Sequence, residues 1–171
     1  MKIIGIILIV STTTLIGFAL AKRYRERPRQ LRQLVTALQS LESEIMFGLT
    51  PVFEAASHLV EQLPSPSNRF FADLLVLLDK RDGRALTDIW SETTESFWTQ
   101  TALKQAEKEI WKQFGQTLGQ SDRENQKKHI RLAISHLERE EEEARIAQQQ
   151  YEKMTKSLGI LGGLLIVLLL F

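Results

Sequence analysis

An uncharged run of 19 residues, Ile3 to Ala21, is followed at once by Lys22, Arg23, Arg25, Arg27, Arg29 and Arg32, against the single acid Glu26. As a helix rising about 1.5 Å per residue, this run measures about 28 Å, close to the hydrocarbon thickness of a bilayer. A cleaved signal peptide is the rival reading, because Ala19-Leu20-Ala21 resembles a small-residue cleavage site. Charge placement favours an anchor. Only Lys2 and the terminal amine precede the run, and the six cations behind it resist translocation and hold that end in the cytoplasm. The expectation is an N-terminal transmembrane anchor over residues 1–21.

The other end of the chain is apolar too. Leu158 to Phe171 is a stretch of fourteen residues in which only Gly159, Gly162 and Gly163 interrupt Leu, Ile, Val and Phe. Fourteen is short of a full span, but Thr155 and Ser157 extend the helix while Lys153 and Lys156 snorkel toward headgroups. A re-entrant segment or a tail packed on another protein are the alternatives. No polar residue follows to keep a core helix amphipathic, so a C-terminal transmembrane segment over 158–171 is expected. Residues 22–157 then form a cytoplasmic domain, and neither terminus is expected to leave more than a residue or two on the far side to sense with.

Strand signals are nearly absent from that middle, and helical ones are dense. Leu31, Leu34, Leu38, Leu41 and Ile45 recur at 3, 4, 3, 4, the spacing of one amphipathic stripe. Gly48 is a plausible stop, and Thr50-Pro51 supplies an N-cap with proline at the first helical position. A second helix carries Val52, Phe53, Ala56, Leu59, Val60 and Leu63 up to the break Pro64-Ser65-Pro66-Ser67. A third runs through Phe70, Leu74, Leu77 and Leu78 and ends near Asp82-Gly83. A fourth holds Leu86, Ile89, Trp90, Phe97 and Trp98, and a fifth Leu103, Ala106, Ile110, Phe114 and Leu118. Ser121-x-x-Glu124 fits a capping box for the sixth. From there Ile130, Ile134, Leu137, Glu141, Ala144, Gln148 and Tyr151 keep a helical rhythm, a seam too polar for a free coiled coil. The fold class expected is all-α: an antiparallel helical bundle of about six helices with N- and C-terminal transmembrane helices.

Little in the chain resembles an active site. There is no cysteine, which excludes disulfides and thiolate chemistry. The net charge of +1 gives no global field toward nucleic acid. No Gly-rich phosphate loop is present. His129 and His136 lie two helical turns apart, too far for one metal without other ligands, and read as surface or packing residues, as does His58. Asp122-Arg123-Glu124 reads as helix capping rather than an acid/base pair. Trp90, Trp98, Trp111, Phe70 and Phe114 read as core rather than a ligand pocket. No enzyme, cofactor or metal is expected.

Two charge clusters remain. The stretch Lys22 to Arg32 carries net +5, which orients the protein and meets anionic headgroups at about 1 kcal/mol per basic residue. Docking of a partner is the sharper reading of Arg23, Arg25, Arg27, Arg29 and Arg32, and these are the candidate binding residues. With Tyr24 the only aromatic among them, membrane lipid fits better than nucleic acid. The acidic run Glu138 to Glu143, interrupted by Arg139, is an ordinary solvated face, except that Glu141 falls on the seam and must meet a neighbour or a hydrated gap.

Read in order, Gly17-Phe18, Ala21, Tyr24, Glu26-Arg27-Pro28-Arg29-Gln30 and Leu31-Arg32-Gln33-Leu34 closely resemble stage III sporulation protein AB of endospore-forming bacteria. The likeness continues through Ala37-Leu38-Gln39-Ser40-Leu41-Glu42, Glu44-Ile45-Met46 and Gly48-x-Thr50-Pro51. It returns at Lys112-Gln113-Phe114-Gly115-x-x-Leu118-Gly119, Lys128-His129-Ile130 and Lys153-Met154-x-Lys156-Ser157-Leu158-Gly159. Residues 64 to 100 depart most. The resemblance implies a place in the complex that faces the engulfed forespore from the mother-cell membrane. The soluble domain of this family is similar to the cytoplasmic domain of type II secretion inner-membrane platform proteins. That likeness implies a platform coupling a cytoplasmic sporulation ATPase, stage III sporulation protein AA, to the channel components in the membrane. A membrane-tethered regulator or a lipid-surface binder is the alternative.

Overall fold

The computed structural model describes residues 2–45, 51–80, 82–118 and 123–170. Those residues are all-α, in six helices: α1 Lys2–Ser43, α2 Val52–Gln62, α3 Ser67–Asp79, α4 Leu86–Trp98, α5 Gln105–Thr117 and α6 Arg123–Leu170. The expected features at Gly48, Thr50, Gly119 and Ser121 lie outside the described residues. The chain divides into two compact units, residues 29–141 and residues 1–28 with 142–171.

Residues 29–141 form around the stripes that periodicity predicts. Leu31, Leu34, Leu38 and Leu41 of α1 are fully buried, and Ile45 is half-buried. Opposite them α6 buries Ile130, Ala133, Leu137 and Glu140, again at helical spacing. The ion pairs Arg32 to Glu141 and Arg131 to Glu42 show that α1 and α6 run antiparallel here. The short helices follow in sequence, α3 contacting α2 and α4, and α4 contacting α5.

Their core is aromatic. Phe70 lies within 5.6 Å, centroid to centroid, of Phe71, Trp90, Phe97 and Trp111, in edge-to-face geometry. Such pairs are worth about 0.5–1.5 kcal/mol each beyond burial. Trp90 donates its indole N–H to the Trp111 carbonyl at 3.0 Å. Gly115 lies against the same indole: a Cβ there would come 2.0 Å from Trp90 Cδ1, so only glycine fits.

Several helix faces differ from expectation by a residue. Phe53, placed inside by its spacing, is 47% exposed, while Ala55 and Phe71 are buried. On α5, Ala106 is exposed and the buried stripe is Glu107, Trp111, Phe114 and, just past the helix, Leu118. The reason lies in Leu103. It precedes the helix instead of opening it, and Glu107 turns inward to accept the Lys104 backbone N–H at the helix start. Pro51 stands before α2 rather than in it, its carbonyl receiving the Ala55 N–H at 3.0 Å.

Polar side chains on α1 hold the loops. Gln33 accepts from the Ser67 hydroxyl at 2.9 Å, and Arg29 donates to the Ser65 carbonyl at 2.9 Å. Gln30 accepts from the Ala102 N–H at 2.8 Å, fixing the connection between α4 and α5. These glutamines are buried, and hydrogen bonding is what makes their burial tolerable.

The other unit pairs residues 2–28 of α1 with residues 142–170 of α6. Among the described residues, α1 is the one helix long and apolar enough to cross a membrane. Its most apolar window has a mean hydropathy of 2.3 and is only 11% buried within the chain, unlike a soluble core helix. The helix continues unbroken through Ala19, Leu20 and Ala21. The apolar end of α6 does not meet the same measure.

Candidate functional site

Glycine lets the helices of the apolar unit approach closely. A Cβ on Gly17 would come 2.9 Å from Gly159 Cα, and the reverse contact is the same, so the two backbones touch. One on Gly163 would lie 2.2 Å from Thr13 Oγ1. Thr13, Gly17 and Ala21 stand four apart on α1, as do Thr155, Gly159 and Gly163 on α6. Such small-xxx-small stripes allow helix association where lipid removes the hydrophobic drive. Pairing of residue 13 with 163, 17 with 159, and Tyr24 with Tyr151 at 5.8 Å makes this an antiparallel pair.

The antiparallel arrangement brings together charges that lie far apart in sequence. Lys22 and Arg25 follow the apolar part of α1, and Lys156 and Glu152 precede the apolar part of α6. All four line one groove of about 370 Å³, together with Leu15 and Phe18. Glu152 accepts from Lys156 Nζ at 2.8 Å and from Gln148 Nε2 at 3.0 Å. Those bonds, Lys156 foremost, hold its carboxyl below the usual carboxylate range.

The five candidate arginines have unlike surroundings. Arg32 directs Nε and Nη2 at Glu141 Oε1, 3.0 and 2.7 Å away, giving the seam glutamate the neighbour it requires. Arg29 is engaged with Ser65, and Arg27 is 8% exposed. Arg23 is exposed, and Arg25 meets Glu26 at 3.9 Å. Periodicity did not point to Lys156 or Glu152 as companions of Lys22 and Arg25. The available signal was that both apolar runs end in lysine on their inner side, which places the two lysines at similar depth in an antiparallel pair.

A sequence profile of the stage III sporulation protein AB family matches residues 2–171. Stage III sporulation protein AB of Bacillus subtilis (strain 168) is 49% identical over 170 residues, covering 99% of each chain. The chain belongs to the stage III sporulation protein AB family. A solved structure of stage III sporulation protein AB is 45% identical, with a TM-score of 0.69 over 73% of this chain and 98% of that one. The family match runs through both units. The residues that make this chain resemble stage III sporulation protein AB include Gly17 and Gly159 at the helix contact, Gln30 and Gln33 at the loops, and Gly115 under Trp90.

Away from the groove, α5 and α6 flank a small cavity of about 130 Å³ lined by Ile110, Phe114, His129, Ala133 and His136. It brings the two histidines to one place. No cluster of three or more metal-ligating side chains occurs among the described residues.

Proposed function

We propose that this member of the stage III sporulation protein AB family is a membrane platform rather than an enzyme. It couples a cytoplasmic sporulation ATPase, stage III sporulation protein AA, to channel components in the mother-cell membrane around the forespore. The observation that carries this reading is that α1 and α6 each contribute to both units. The same two helices make the close-packed apolar pair and supply the first and last helices of the aromatic bundle. A platform needs that kind of covalent continuity between anchor and docking body.

In this reading α6 enters the bilayer beside α1. Contact with α1 through Gly159 and Gly163 supports an apolar segment that is short for an independent span. The basic stretch from Lys22 keeps the bundle cytoplasmic. Arg23, Arg25, Arg29 and Arg32 then meet lipid phosphate or an acidic partner surface, while Arg27 is buried within the chain. Likeness of the family's soluble domain to type II secretion platform proteins points the same way.

Affinity capture of the tagged full-length protein from sporulating cells, with mass spectrometry, tests the proposal. The ATPase and membrane components of the same complex should be recovered together. Recovery of membrane components without the ATPase, joined with no binding of the purified ATPase, would overturn the coupling role. Cytoplasm-active reporters placed between residues 64 and 68 should function, and those at the termini should not.

A further inference from the structure

We propose that the groove lined by Lys22, Arg25 and Lys156 above Leu15 and Phe18 binds one anionic phospholipid. Its phosphate lies among the cations and an acyl chain along the apolar side chains. The proposal rests on the membrane-anchored reading and adds a specific ligand to it.

Its basis is the order of chemistry along one stripe. Leu15, Phe18, Lys22 and Arg25 are spaced 3, 4, 3 on α1, so they share a face. Moving along that face, two apolar side chains give way to two cations. From Phe18 to Lys22 the rise is about 6 Å. Leu15 and Phe18 are 70% and 50% exposed, so the apolar half of the groove is open. A phospholipid presents the complementary chemistry in the same order, acyl chain then phosphate. A free anion would have no use for the apolar half, and an acidic peptide would have to bring apolar side chains to bilayer depth.

Three cations against one carboxylate leave the groove with a net charge of +2. Glu152 is occupied by Lys156 and Gln148, and that pairing holds the Lys156 ammonium in position with two further N–H donors to offer. Arg25 brings a planar fork suited to phosphate, and Lys22 makes no hydrogen bond or ion pair among the described residues. The site thus combines a point charge, a fork and a pre-positioned ammonium.

Full-length protein reconstituted in phosphatidylcholine vesicles, with spin-labelled phosphatidylglycerol, phosphatidylethanolamine or phosphatidylcholine as probe, provides the test. Phosphatidylglycerol should be enriched in the immobilised component about thirtyfold over phosphatidylcholine, from about 1 kcal/mol per engaged cation less the carboxylate's opposition. Lys22→Gln, Arg25→Gln and Lys156→Gln should each lower that preference about fivefold, while Lys153→Gln, outside the groove, should lower it by less than about twofold. Arg23, Arg27, Arg29 and Arg32 remain in these variants to preserve orientation. Protein that does not sediment with the vesicles overturns the membrane reading and the groove together. Membrane-bound protein with no phosphatidylglycerol preference, with an equal loss in Lys153→Gln, or with phosphatidylethanolamine preferred, overturns the groove alone.

Discussion

Residues 29–141 are held by the largest side chains in the chain, and residues 1–28 with 142–171 by the smallest. In the first unit Trp90, Trp111, Phe70 and Phe71 are almost wholly removed from solvent. In the second the decisive contacts are between Gly17 and Gly159 and between Thr13 and Gly163. In the membrane placement proposed above, the difference follows from solvent. Water rewards burial of apolar area at about 25 cal/mol per Å², so a water-exposed bundle is stabilised by bulk. Lipid gives no such reward, and association depends on how closely backbones approach.

The largest effect should come from cutting into the aromatic core. Trp90→Ala removes the ring that meets Phe70, Trp111 and Phe114 and the hydrogen bond to the Trp111 carbonyl. It should cost about 3–5 kcal/mol, and Gly115→Val about 1–3 kcal/mol by overpacking the same indole. Denaturant titration of the full-length protein in mild detergent, followed by circular dichroism, measures both. Losses under 1 kcal/mol for Trp90→Ala would mean the bundle is not organised around this ring.

The apolar pair should respond to volume in the opposite sense, failing when side chains are enlarged. The chain has no cysteine, so an engineered pair reports contact cleanly. A Cβ at position 163 would stand 3.4 Å from Thr13 Cβ, near the roughly 3.5–4.5 Å of a disulfide. Thr13→Cys with Gly163→Cys should therefore cross-link on mild oxidation in membranes. Adding Gly17→Leu should reduce that yield at least about tenfold by forcing the backbones apart, whereas adding Trp90→Ala should not. Equal sensitivity to both changes would erase the distinction between the units.

Between these in character are the polar ties of α1. Ser67→Ala leaves the buried Gln33 carbonyl without its hydroxyl donor and should cost about 1–2 kcal/mol in the same titration. No change would mean that the loop is held by packing of its neighbours alone.

How far each unit can be read from sequence follows the same division. Burial in water leaves a periodic trace, so Leu31, Leu34, Leu38, Leu41, Ile130 and Leu137 were all legible as core. Periodicity misplaced Phe53 and Ala106 because short helices are positioned by their caps and loops, and the inward turn of Glu107 leaves no hydrophobic signal. Gln30 and Gln33 look like surface residues; only the loops they reach, 32 to 72 residues away, explain their burial. Both ends were legible as apolar helices, but not their contact, since glycine spacing names no partner. The groove was half visible, as Lys22 and Arg25; Glu152 and Lys156 joined it only once the antiparallel register was known.

The smallest effects should come from the ion pairs at the surface, where both units can be compared by acid titration. Glu95 of the bundle receives Lys108 Nζ and, at 3.0 Å, Lys112 Nζ, which hold its carboxyl below the usual range, Lys108 contributing most. Glu152 of the apolar unit is held low chiefly by Lys156. A carboxyl whose pKa is depressed by folding contributes stability that is fully present above its ordinary value. That contribution fades as pH falls through the lowered one. Neutral pH should therefore show the full contribution of both, and acid should remove it. Carbon-13 titration of the side-chain carboxyls should place both midpoints below those of exposed glutamates in an unfolded peptide. The environments then separate the pair. Added salt should move the Glu95 midpoint back toward its ordinary value, because the exposed carboxylate is screened from its lysines. Exchanging phosphatidylcholine for phosphatidylglycerol should move Glu152 in the same direction, because a lipid phosphate on Lys156 brings a second negative charge close to the carboxylate. A Glu152 midpoint that follows salt as Glu95 does and ignores the lipid would show that the two carboxylates share one kind of surroundings, and the contrast between the units would end at their apolar contacts.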